Sequence, residues 1–273
     1  MTKLAIIAGQ GHIPVDIGHA AIAQGYDVII MPLEHQADAD YNGFKTEPIG
    51  LANIGRTRKL LLAHKCDAMI MVGKVRRPPI ADLRPDMDGM KLLGKMLLRG
   101  DDQSLRLVAD YFAEVGVKVM AASDIMPDRH LGLGVITGVK LNKQYQADID
   151  LGCSVLDSIG SHDIGQGMVV QDGRIIAIEA AEGTDAMLLR SADLLDKTAS
   201  KAVFLKMPKS AQDTRLDIPF IGLETIKMAG DAGIGVIAIE AGGVMLADPH
   251  DQVVAACSAC DITLVGLKPR NVR

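Results

Sequence analysis

The stretch KLAIIAGQGHIP, residues 3–14, decides what fold to expect for the first half of the chain. Its first six residues form a continuous apolar run of strand length, which is typical of a strand buried on both faces of a parallel sheet. A glycine-rich turn follows, and Pro14 suits the first turn of a helix. A buried strand, a turn and a helix in this order predict the first unit of a doubly wound α/β domain.

The same alternation continues along the chain. Further short apolar runs occupy residues 26–31, 67–72 and 117–121. Helices are predicted between and after these strands, at 15–25, 53–65, 86–100 and 101–116. The pattern predicts a Rossmann-like domain with a parallel sheet over residues 1–130. A glycine-rich segment at 131–138 is predicted to be a linker.

Residues 139–273 show a different pattern. A long helix is predicted over 142–160, and two strand-like runs flank Asp172-Gly173, a dipeptide that favours a tight hairpin turn. Three more apolar runs then alternate with helical segments. A hairpin combined with crossover connections predicts a C-terminal α/β domain with a mixed sheet. The last seven residues, 267–273, are expected to be loosely ordered.

Composition excludes several classes of protein. Of 273 residues, 48% are hydrophobic and 23% are charged, which excludes a disordered chain. The net charge of -5 and the lack of a long basic block argue against a nucleic-acid partner. The sequence has neither an apolar run of about 20 residues nor a cleavable signal, and its four cysteines fit a reducing compartment. We therefore expect a cytoplasmic protein.

The glycine-rich turn is a candidate binding site. The backbone N–H groups of Gly9, Gln10 and Gly11 precede a helix, where they could bind a phosphate. The dinucleotide fingerprint is incomplete, because Pro14 stands where the third glycine belongs. A nicotinamide-dependent oxidoreductase is therefore one alternative, and an ordinary strand-to-helix turn without a ligand is another.

Charged residues also follow other predicted strands. Lys74 and Arg77 come directly after the third strand, at the sheet edge where open α/β sheets bind ligands. Asp101 and Asp102 open a predicted helix, and they either cap it or contribute to a polar site. In the second half, Glu179 and Glu182 flank a strand end and are expected to converge on one sheet edge. Thr184 and Asp185 begin the next helix, the first as a candidate N-cap. An exposed basic loop is the alternative explanation for the cations.

The most polar loop follows the strand-like run 202–205. Asp213 and Asp217 carry hard oxygen ligands suited to Mg²⁺ or Mn²⁺. Three nearby cations suit phosphate oxygens: Lys206, Lys209 and Arg215. Metal-binding carboxylates beside phosphate-binding cations predict a phosphoryl-transfer site, because catalysis of that reaction is mostly positioning and charge stabilisation. A solvated loop is the alternative.

Several motifs together resemble one known family. They are AGQGHIP (8–14), GKVRRP (73–78), GDDQSLRLVADYF (100–112), EGTDAM (182–187), KMPKSAQDTRLDIPFIGLETI (206–226) and GVIAIEAGGVMLAD (235–248). In this order they resemble the LpxI-type UDP-2,3-diacylglucosamine pyrophosphatases, over nearly the whole chain. The family usually reads K-P-G-Q-D where this chain reads Lys209-Ser210-Ala211-Gln212-Asp213, which suggests a less rigid loop.

The resemblance implies an enzyme of lipid A biosynthesis in Gram-negative bacteria. It implies Mg²⁺-dependent hydrolysis of UDP-2,3-diacylglucosamine to UMP and lipid X, with the ligand in a chamber between two domains. The catalytic residues it implies are Asp213, Asp217, Glu182 and Asp185, the first two also as metal ligands. The substrate-binding residues it implies are Gly9, Gln10, Gly11, Lys74, Arg77, Asp101, Asp102, Thr184, Lys206, Lys209, Gln212, Arg215 and Thr225.

The expected partners follow from this substrate. They are UDP-2,3-diacylglucosamine and lipid X, with peripheral contact to the inner face of the inner membrane and no nucleic acid. The oligomeric state is left open, with a homodimer as one option. Two other functional classes remain, a nicotinamide-dependent oxidoreductase and a non-catalytic nucleotide-sensing protein.

Overall fold

The computed structural model describes residues 1–76, 78–79, 82–96, 100–138, 140–210 and 212–270, without the side chain of Asp101. The chain divides into two compact units. The first comprises Met1–Pro127 together with Arg215–Asp217, and the second comprises Asp128–Thr214 and Ile218–Arg273. The predicted domain limits, 1–130 and 139–273, remain a prediction, and they place the short segment 215–217 in the second domain.

The first unit is built on a parallel sheet of five strands in the order β3-β2-β1-β4-β5. The strands are β1 (Lys3–Ala8), β2 (Asp27–Pro32), β3 (Lys45–Thr46), β4 (Ala68–Val72) and β5 (Lys118–Val119). This is a Rossmann-like order, in which the direction of winding reverses between β1 and β4. The predicted parallel sheet is confirmed, and β1 has the predicted limits because residues 4–8 form a continuous buried run.

Within the described residues, five α-helices accompany this sheet. They are α1 (Ile13–Ala23), α2 (Ile54–Ala63), α3 (Met87–Met96), α4 (Asp101–Ala113) and α5 (Ala122–Ile125). The apolar core of the unit also includes Leu216, which is 4% exposed and packs in the same cluster as Ile29, Leu61 and Phe112. A residue from late in the chain therefore completes the core of the first unit.

One carboxylate serves the N-termini of two helices in this unit. Asp86 accepts a hydrogen bond from the backbone N–H of Arg56 in α2 and another from that of Gly89 in α3, both at 2.8 Å. Burial opposes its ionisation, but these donors and the N–H of Gly55 outweigh burial and hold the pKa of Asp86 below its ordinary value. Asp86 therefore fixes the start of α3 against the start of α2.

The second unit contains a sheet of six strands in the order β6-β13-β11-β9-β7-β8, and a two-stranded sheet formed by β10 and β12. The strands are β6 (Gly134–Thr137), β7 (Gly167–Gln171), β8 (Arg174–Ile178), β9 (Ala202–Lys206), β10 (Phe220–Ile221), β11 (Ile234–Glu240), β12 (Met245–Leu246) and β13 (Thr263–Leu267). β9, β11 and β13 are parallel, whereas β6 and β7 pair antiparallel with their neighbours. The predicted mixed sheet is confirmed.

Helices cover both faces of the larger sheet. They are α6 (Lys143–Gly160), α7 (Gly183–Ser191), α8 (Leu223–Ala232) and α9 (His250–Ala259). Ile149 and Leu156 of α6 pack on one face with Val203 and Leu205, whereas residues of α7, α8 and α9 pack on the other face with Phe204. Alternate residues of β9 thus enter two separate cores, which explains why its sequence is apolar from Ala202 to Leu205.

The predicted hairpin turn is confirmed, and a carboxylate of α6 holds it in place. Asp172 and Gly173 have φ angles of 48° and 77°, as a two-residue turn of this kind requires. Their backbone N–H groups donate to the two carboxylate oxygens of Asp148, at 3.0 and 2.7 Å. Asp148 lies on α6 and is 1% exposed. A buried carboxylate therefore fixes the hairpin to the helix that precedes it.

Part of the segment predicted to be a linker is a strand. Gly134–Thr137 form β6, which pairs antiparallel with β13. Gly138 has a φ of 89°, and a Cβ there would collide with Thr263 of β13. Glycine-rich composition is unusual in strands, so this one was not visible in the sequence. Gly138 therefore permits the backbone after β6 to lie close to β13.

The cysteines are in the reduced state that their number and sequence context lead us to expect. All four cysteines are free thiols, and burial raises the pKa of Cys257, on α9, to about 12. Cys257 therefore lies in the core as an unreactive thiol, as the apolar sequence around it predicts.

Within the described part of the chain, no helix combines the length and the apolar character needed to cross a membrane.

Candidate active site

In the first unit, the glycine-rich turn after β1 contacts the loop after β4. The backbone N–H of Gln10 donates to the carbonyl oxygen of Lys74 at 2.8 Å, and the N–H of Lys74 donates back at 3.2 Å. A Cβ on Gly9 would lie 2.7 Å from the carbonyl oxygens of Gly73 and Lys74. This contact alone accounts for glycine at position 9, without a ligand. The two loops at the reversal of the strand order are therefore joined by main-chain hydrogen bonds.

Side chains tie the third loop of this edge to the other two. Asp38, which follows β2, accepts a hydrogen bond from the backbone N–H of Gly11 at 2.7 Å. The amide of Gln36 exchanges two hydrogen bonds of 3.0 Å with the backbone of Arg76. An anionic ligand at the N–H of Gly11 would therefore have to displace the Asp38 carboxylate. Arg77, predicted to bind phosphate, lies outside the described residues.

The predicted acidic pair at the start of α4 is only partly described. Asp102 forms an ion pair with Arg106 one turn later, at 3.0 Å. The N-cap residue of this helix is Gly100, which has no side chain to cap it, so a carboxylate in the first turn is favoured by the helix dipole. The side chain of Asp101 is outside the description. The geometry of Asp102 is that of a helix-start residue.

At the second unit's sheet edge, a buried cluster forms around the last residue of β9. Lys206 Nζ donates to Glu179 Oε2 at 3.0 Å and Oε1 at 3.3 Å, and also to the hydroxyl of Thr184. The Thr184 hydroxyl in turn donates to Glu179 Oε1 at 2.8 Å. The side chains of Lys206 and Glu179 are only 5% and 12% exposed. This Lys206 cluster (Lys206, Glu179, Thr184) is a charged pair removed from water and completed by a hydroxyl.

The ammonium group of Lys206, predicted to bind phosphate, already has protein partners. An ammonium group has three donors, and all three of its hydrogen bonds in the cluster go to protein atoms. A phosphate oxygen would have to replace one of these acceptors. The sequence predicts that Glu179, directly after the apolar run RIIAI, lies with Glu182 at a strand edge, but it does not predict the pairing of Glu179 with Lys206. A Cβ on Gly167 would lie 2.6 Å from Glu179 Oε2, so the pocket also requires a glycine.

The start of α7 holds two predicted catalytic carboxylates. Glu182 pairs with Arg190 at 2.8 Å, and Arg190 also donates to the carbonyl oxygen of Ile178 at 2.6 Å. The backbone N–H of Glu182 itself and the Arg190 guanidinium hold the pKa of Glu182 below its ordinary value. A lowered pKa makes a carboxylate a weaker general base. Asp185 is half-buried in the first turn of the helix, where the dipole favours a negative charge.

The loop that carries Asp213 is anchored to its surroundings. We define the Asp213 loop as residues 208–213, of which Ala211 is not described. Lys209 forms an ion pair with Asp163 through its ammonium group. The side-chain oxygen of Gln212 accepts hydrogen bonds from the backbone N–H of Lys209 at 2.8 Å and from Gln166 at 2.9 Å. Gln212, predicted to bind substrate, thus holds the loop together from within.

The departure from the usual family motif adds a further anchor. Ser210 donates a hydrogen bond to the backbone carbonyl of Asp157, near the end of α6, at 3.0 Å. A Cβ on Gly160 of that helix would lie 3.0 Å from the Ser210 hydroxyl. The expectation of a less rigid loop rested on the absence of proline and glycine. The structure shows that the serine instead makes a hydrogen bond of its own.

The remaining predicted residues fall into both units. Asp213 is half-buried and is counted with the second unit, whereas Arg215 and Asp217 are exposed and are counted with the first. Thr225 is half-buried in the first turn of α8.

Within the described ranges, no group of three His, Cys, Asp or Glu side chains is placed to hold a metal. Mg²⁺ often takes only one or two protein carboxylates and completes its shell with water and substrate phosphates. Asp213 and Asp217 carry carboxylate oxygens of the type that this ion takes, and their role as metal ligands stays a prediction.

Comparisons with known proteins agree over the whole chain. Residues 3–129 match the family described as "LpxI N-terminal domain", and residues 132–265 match the "LpxI C-terminal domain". A curated relative, "UDP-2,3-diacylglucosamine pyrophosphatase LpxI" of Caulobacter vibrioides, is 37% identical over 279 residues, which cover 99% of each chain.

Solved structures show weaker likenesses. A dTDP-glucose 4,6-dehydratase from Bacillus anthracis is 8% identical, with a TM-score of 0.33 over 100% of this chain and 86% of that one. The C-terminal domain of the coenzyme A biosynthesis protein CoaBC is 15% identical, with a TM-score of 0.26 over 41% of this chain and 71% of that one. At these scores the likenesses carry no functional information.

Proposed function

The chain belongs to the LpxI family, and from this premise we propose that it hydrolyses the pyrophosphate bond of UDP-2,3-diacylglucosamine. The products would be UMP and 2,3-diacylglucosamine 1-phosphate (lipid X), in lipid A biosynthesis. The observation that carries the proposal is the 37% identity to a pyrophosphatase of this name over 99% of both chains. A match of that extent includes both units of the chain.

We place the chemistry at Asp213. Its carboxylate is half-buried on a loop that the Lys209–Asp163 ion pair and the Gln212 side chain hold in one conformation. A group whose carrier is fixed before the substrate arrives loses little entropy in the reaction. Asp213 would act on the attacking water or on a metal ion, with Asp217 as the second carboxylate.

Mg²⁺ is part of the proposal. Bound by Asp213 and Asp217, it would neutralise negative charge on the pyrophosphate oxygens. Two oxygen ligands from the protein suffice for this ion when phosphates supply others. Two cations of the same edge are already paired with carboxylates in the structure, Lys206 with Glu179 and Lys209 with Asp163. A metal ion would therefore supply the positive charge that the pyrophosphate needs.

The test is direct. Purified protein is incubated with UDP-2,3-diacylglucosamine and Mg²⁺, and UMP and lipid X are separated by chromatography. EDTA should abolish UMP release, and added Mg²⁺ or Mn²⁺ should restore it. Full turnover after exhaustive chelation would remove the metal from the proposal. Tight binding of the UDP-sugar without turnover would favour a nucleotide-sensing protein, and a fluorescence change on titration with NADH would favour an oxidoreductase.

We further propose a cytoplasmic enzyme that makes peripheral contact with the inner membrane. The support is the face of α3, on which Met87 and Met90 are 73% and 59% exposed next to the exposed Lys91. Methionine and lysine side chains together suit the surface of an anionic bilayer. Flotation with vesicles containing phosphatidylglycerol should recover the protein, and Met87→Glu/Met90→Glu should reduce recovery. Equal recovery of both proteins would contradict this contact.

A further inference from the structure

Arg270, which the sequence places in a tail expected to be loosely ordered, is buried against three acceptors. Its Nε donates to Glu240 Oε2 at 2.6 Å. Its two terminal nitrogens donate to a carboxylate oxygen of Asp157 and to the backbone carbonyl of Pro208. The side chain is 17% exposed. Because a guanidinium has a planar fork of donors, one residue can hold the end of β11, α6 and the loop after β9 at once.

The contact with Pro208 matters because this residue begins the Asp213 loop. Its carbonyl is held by a charged donor from the far end of the sequence. Two other anchors of this loop come from α6 and the turn after it. They are the ion pair of Lys209 with Asp163 and the hydrogen bond that Ser210 donates to the Asp157 carbonyl. Arg270 also binds the side chain of Asp157, so it supports the loop on both sides.

We propose that Arg270 is a positioning residue for Asp213. It acts through the backbone of Pro208 and through Asp157, and it does not touch the substrate. This inference rests on the proposed hydrolysis at the Asp213 loop, because the effect on turnover presupposes that activity. Its structural half, that Arg270 fixes the loop, can be measured without substrate.

Removal of Arg270 would have two consequences that must be separated. Glu240 is 9% exposed on its side chain, so Arg270→Met would leave a buried carboxylate without its cation and destabilise the whole unit. The double variant Glu240→Gln/Arg270→Met removes that charge as well, while the carbonyl of Pro208 remains without its donor. Arg270→Lys keeps a positive charge near Glu240 but lacks the fork that reaches three acceptors.

The first readout is amide hydrogen exchange in the Asp213 loop. The N–H of Lys209 is bonded to the Gln212 side chain, and the N–H of Gln212 to the Lys209 carbonyl at 3.0 Å. In the double variant we expect both to exchange at least about tenfold faster, because local opening becomes easier. The hairpin N–H groups of Asp172 and Gly173, held by Asp148, should keep their wild-type rates and report that the unit is folded.

The second readout is steady-state hydrolysis. In the double variant kcat should fall about ten- to a hundredfold while KM stays within about threefold, because misplacement of a reacting group affects the transition state more than ground-state binding. Arg270→Lys should recover part of kcat. The matched control is Lys201→Met, which breaks an exposed ion pair with Asp261 in the same unit and should leave both readouts unchanged.

The outcomes distinguish the two proposals. Unchanged exchange at Lys209 and Gln212 in the double variant would overturn the inference, and so would faster exchange with wild-type kcat. Wild-type protein that releases no UMP would count against the proposed hydrolysis itself. In that case the exchange rates still decide whether Arg270 fixes the loop.

Discussion

The carboxyl edges of the two sheets carry similar sequence signals and are built differently. In the first unit, the loops after β1 and β4 are joined main chain to main chain, through Gln10 and Lys74. In the second unit, the corresponding edge is held by buried charges, with Lys206 on Glu179 and Arg270 on Glu240. Glycines mark both edges. In the first they allow two backbones to approach, and in the second they make room for a carboxylate.

The difference shows where chemistry is concentrated. A main-chain bridge carries no net charge and cannot change its protonation state. It fixes the geometry of the first edge but takes no part in proton transfer. Buried ion pairs are costly to desolvate and are kept where orientation matters. The second edge holds the pairs Lys206–Glu179 and Arg270–Glu240, and a third pair, Lys209–Asp163, anchors the Asp213 loop. The comparison therefore favours the second edge over the first as the location of the Asp213 chemistry, and substitutions in both units test it.

The largest effect is expected at the Lys206 cluster. Glu179→Gln leaves the Lys206 ammonium buried without its counter-charge, which should lower the free energy of unfolding by about 3–5 kcal/mol. Glu182→Gln, three residues later, breaks an exposed pair with Arg190 and should cost less than about 1 kcal/mol. Urea unfolding measures both. Equal losses in the two variants would show that burial of the charge is not what stabilises this edge.

Asp213→Asn should lower kcat by about 10²–10³ and leave the fold intact. Asparagine keeps the size of the side chain and one acceptor but removes the charge that would hold a metal or orient water, and loss of one such group commonly has that effect. Calorimetry should still detect the UDP-sugar. Near-normal kcat, with a melting temperature like that of the wild type, would take Asp213 out of the mechanism and leave Asp217 to be tested.

A backbone contact can be broken in the first unit. Gly9→Ala places a Cβ 2.7 Å from two carbonyl oxygens and should lower the free energy of unfolding by about 1–3 kcal/mol. Gly94→Ala is the control, because the site on α3 is open and alanine favours helices, so it should stabilise by about 0.5–1 kcal/mol. Chemical denaturation followed by circular dichroism compares them. A Gly9→Ala protein as stable as the wild type would mean that the two loops do not depend on their contact.

The smallest effect concerns pH. The pKa of Asp86 is lowered in the folded state, so its charge stabilises the protein above its ordinary pKa of about 4, and this contribution disappears as the pH falls through the lowered value. Asp86→Asn should therefore cost about 0.3–1 kcal/mol at pH 7, and progressively less below pH 4. Urea titrations at pH 7, 5 and 3 measure the difference. A loss that grows towards low pH would have the wrong sign.

The sequence predicts what depends on local pattern. β1 and the Asp172-Gly173 hairpin were found because a buried run and a turn dipeptide are visible within a few residues. β3 and β10 have two residues each, too few for any periodicity, and β6 was hidden by glycines.

The candidate site was predictable to a lesser extent. Lys206, Lys209 and Asp213 could be selected because polar residues stand out after an apolar strand. Their pairings could not, because Glu179 is 27 positions from Lys206 and Asp163 is 46 from Lys209. Arg270 and Asp157 are 113 apart, and the sequence around Arg270 gave no sign of burial. Pairings of this kind are set by the sheet order, which local patterns do not encode.

Leu216 has a consequence for how the protein is made. The core of the first unit is incomplete until this residue has left the ribosome, 89 positions after Pro127. A recombinant fragment that stops at Pro127 would lack one buried side chain of this core and should be less stable than the same unit in the full chain. During synthesis the first unit therefore stays unfinished, and reaches its full stability only when most of the second has been translated.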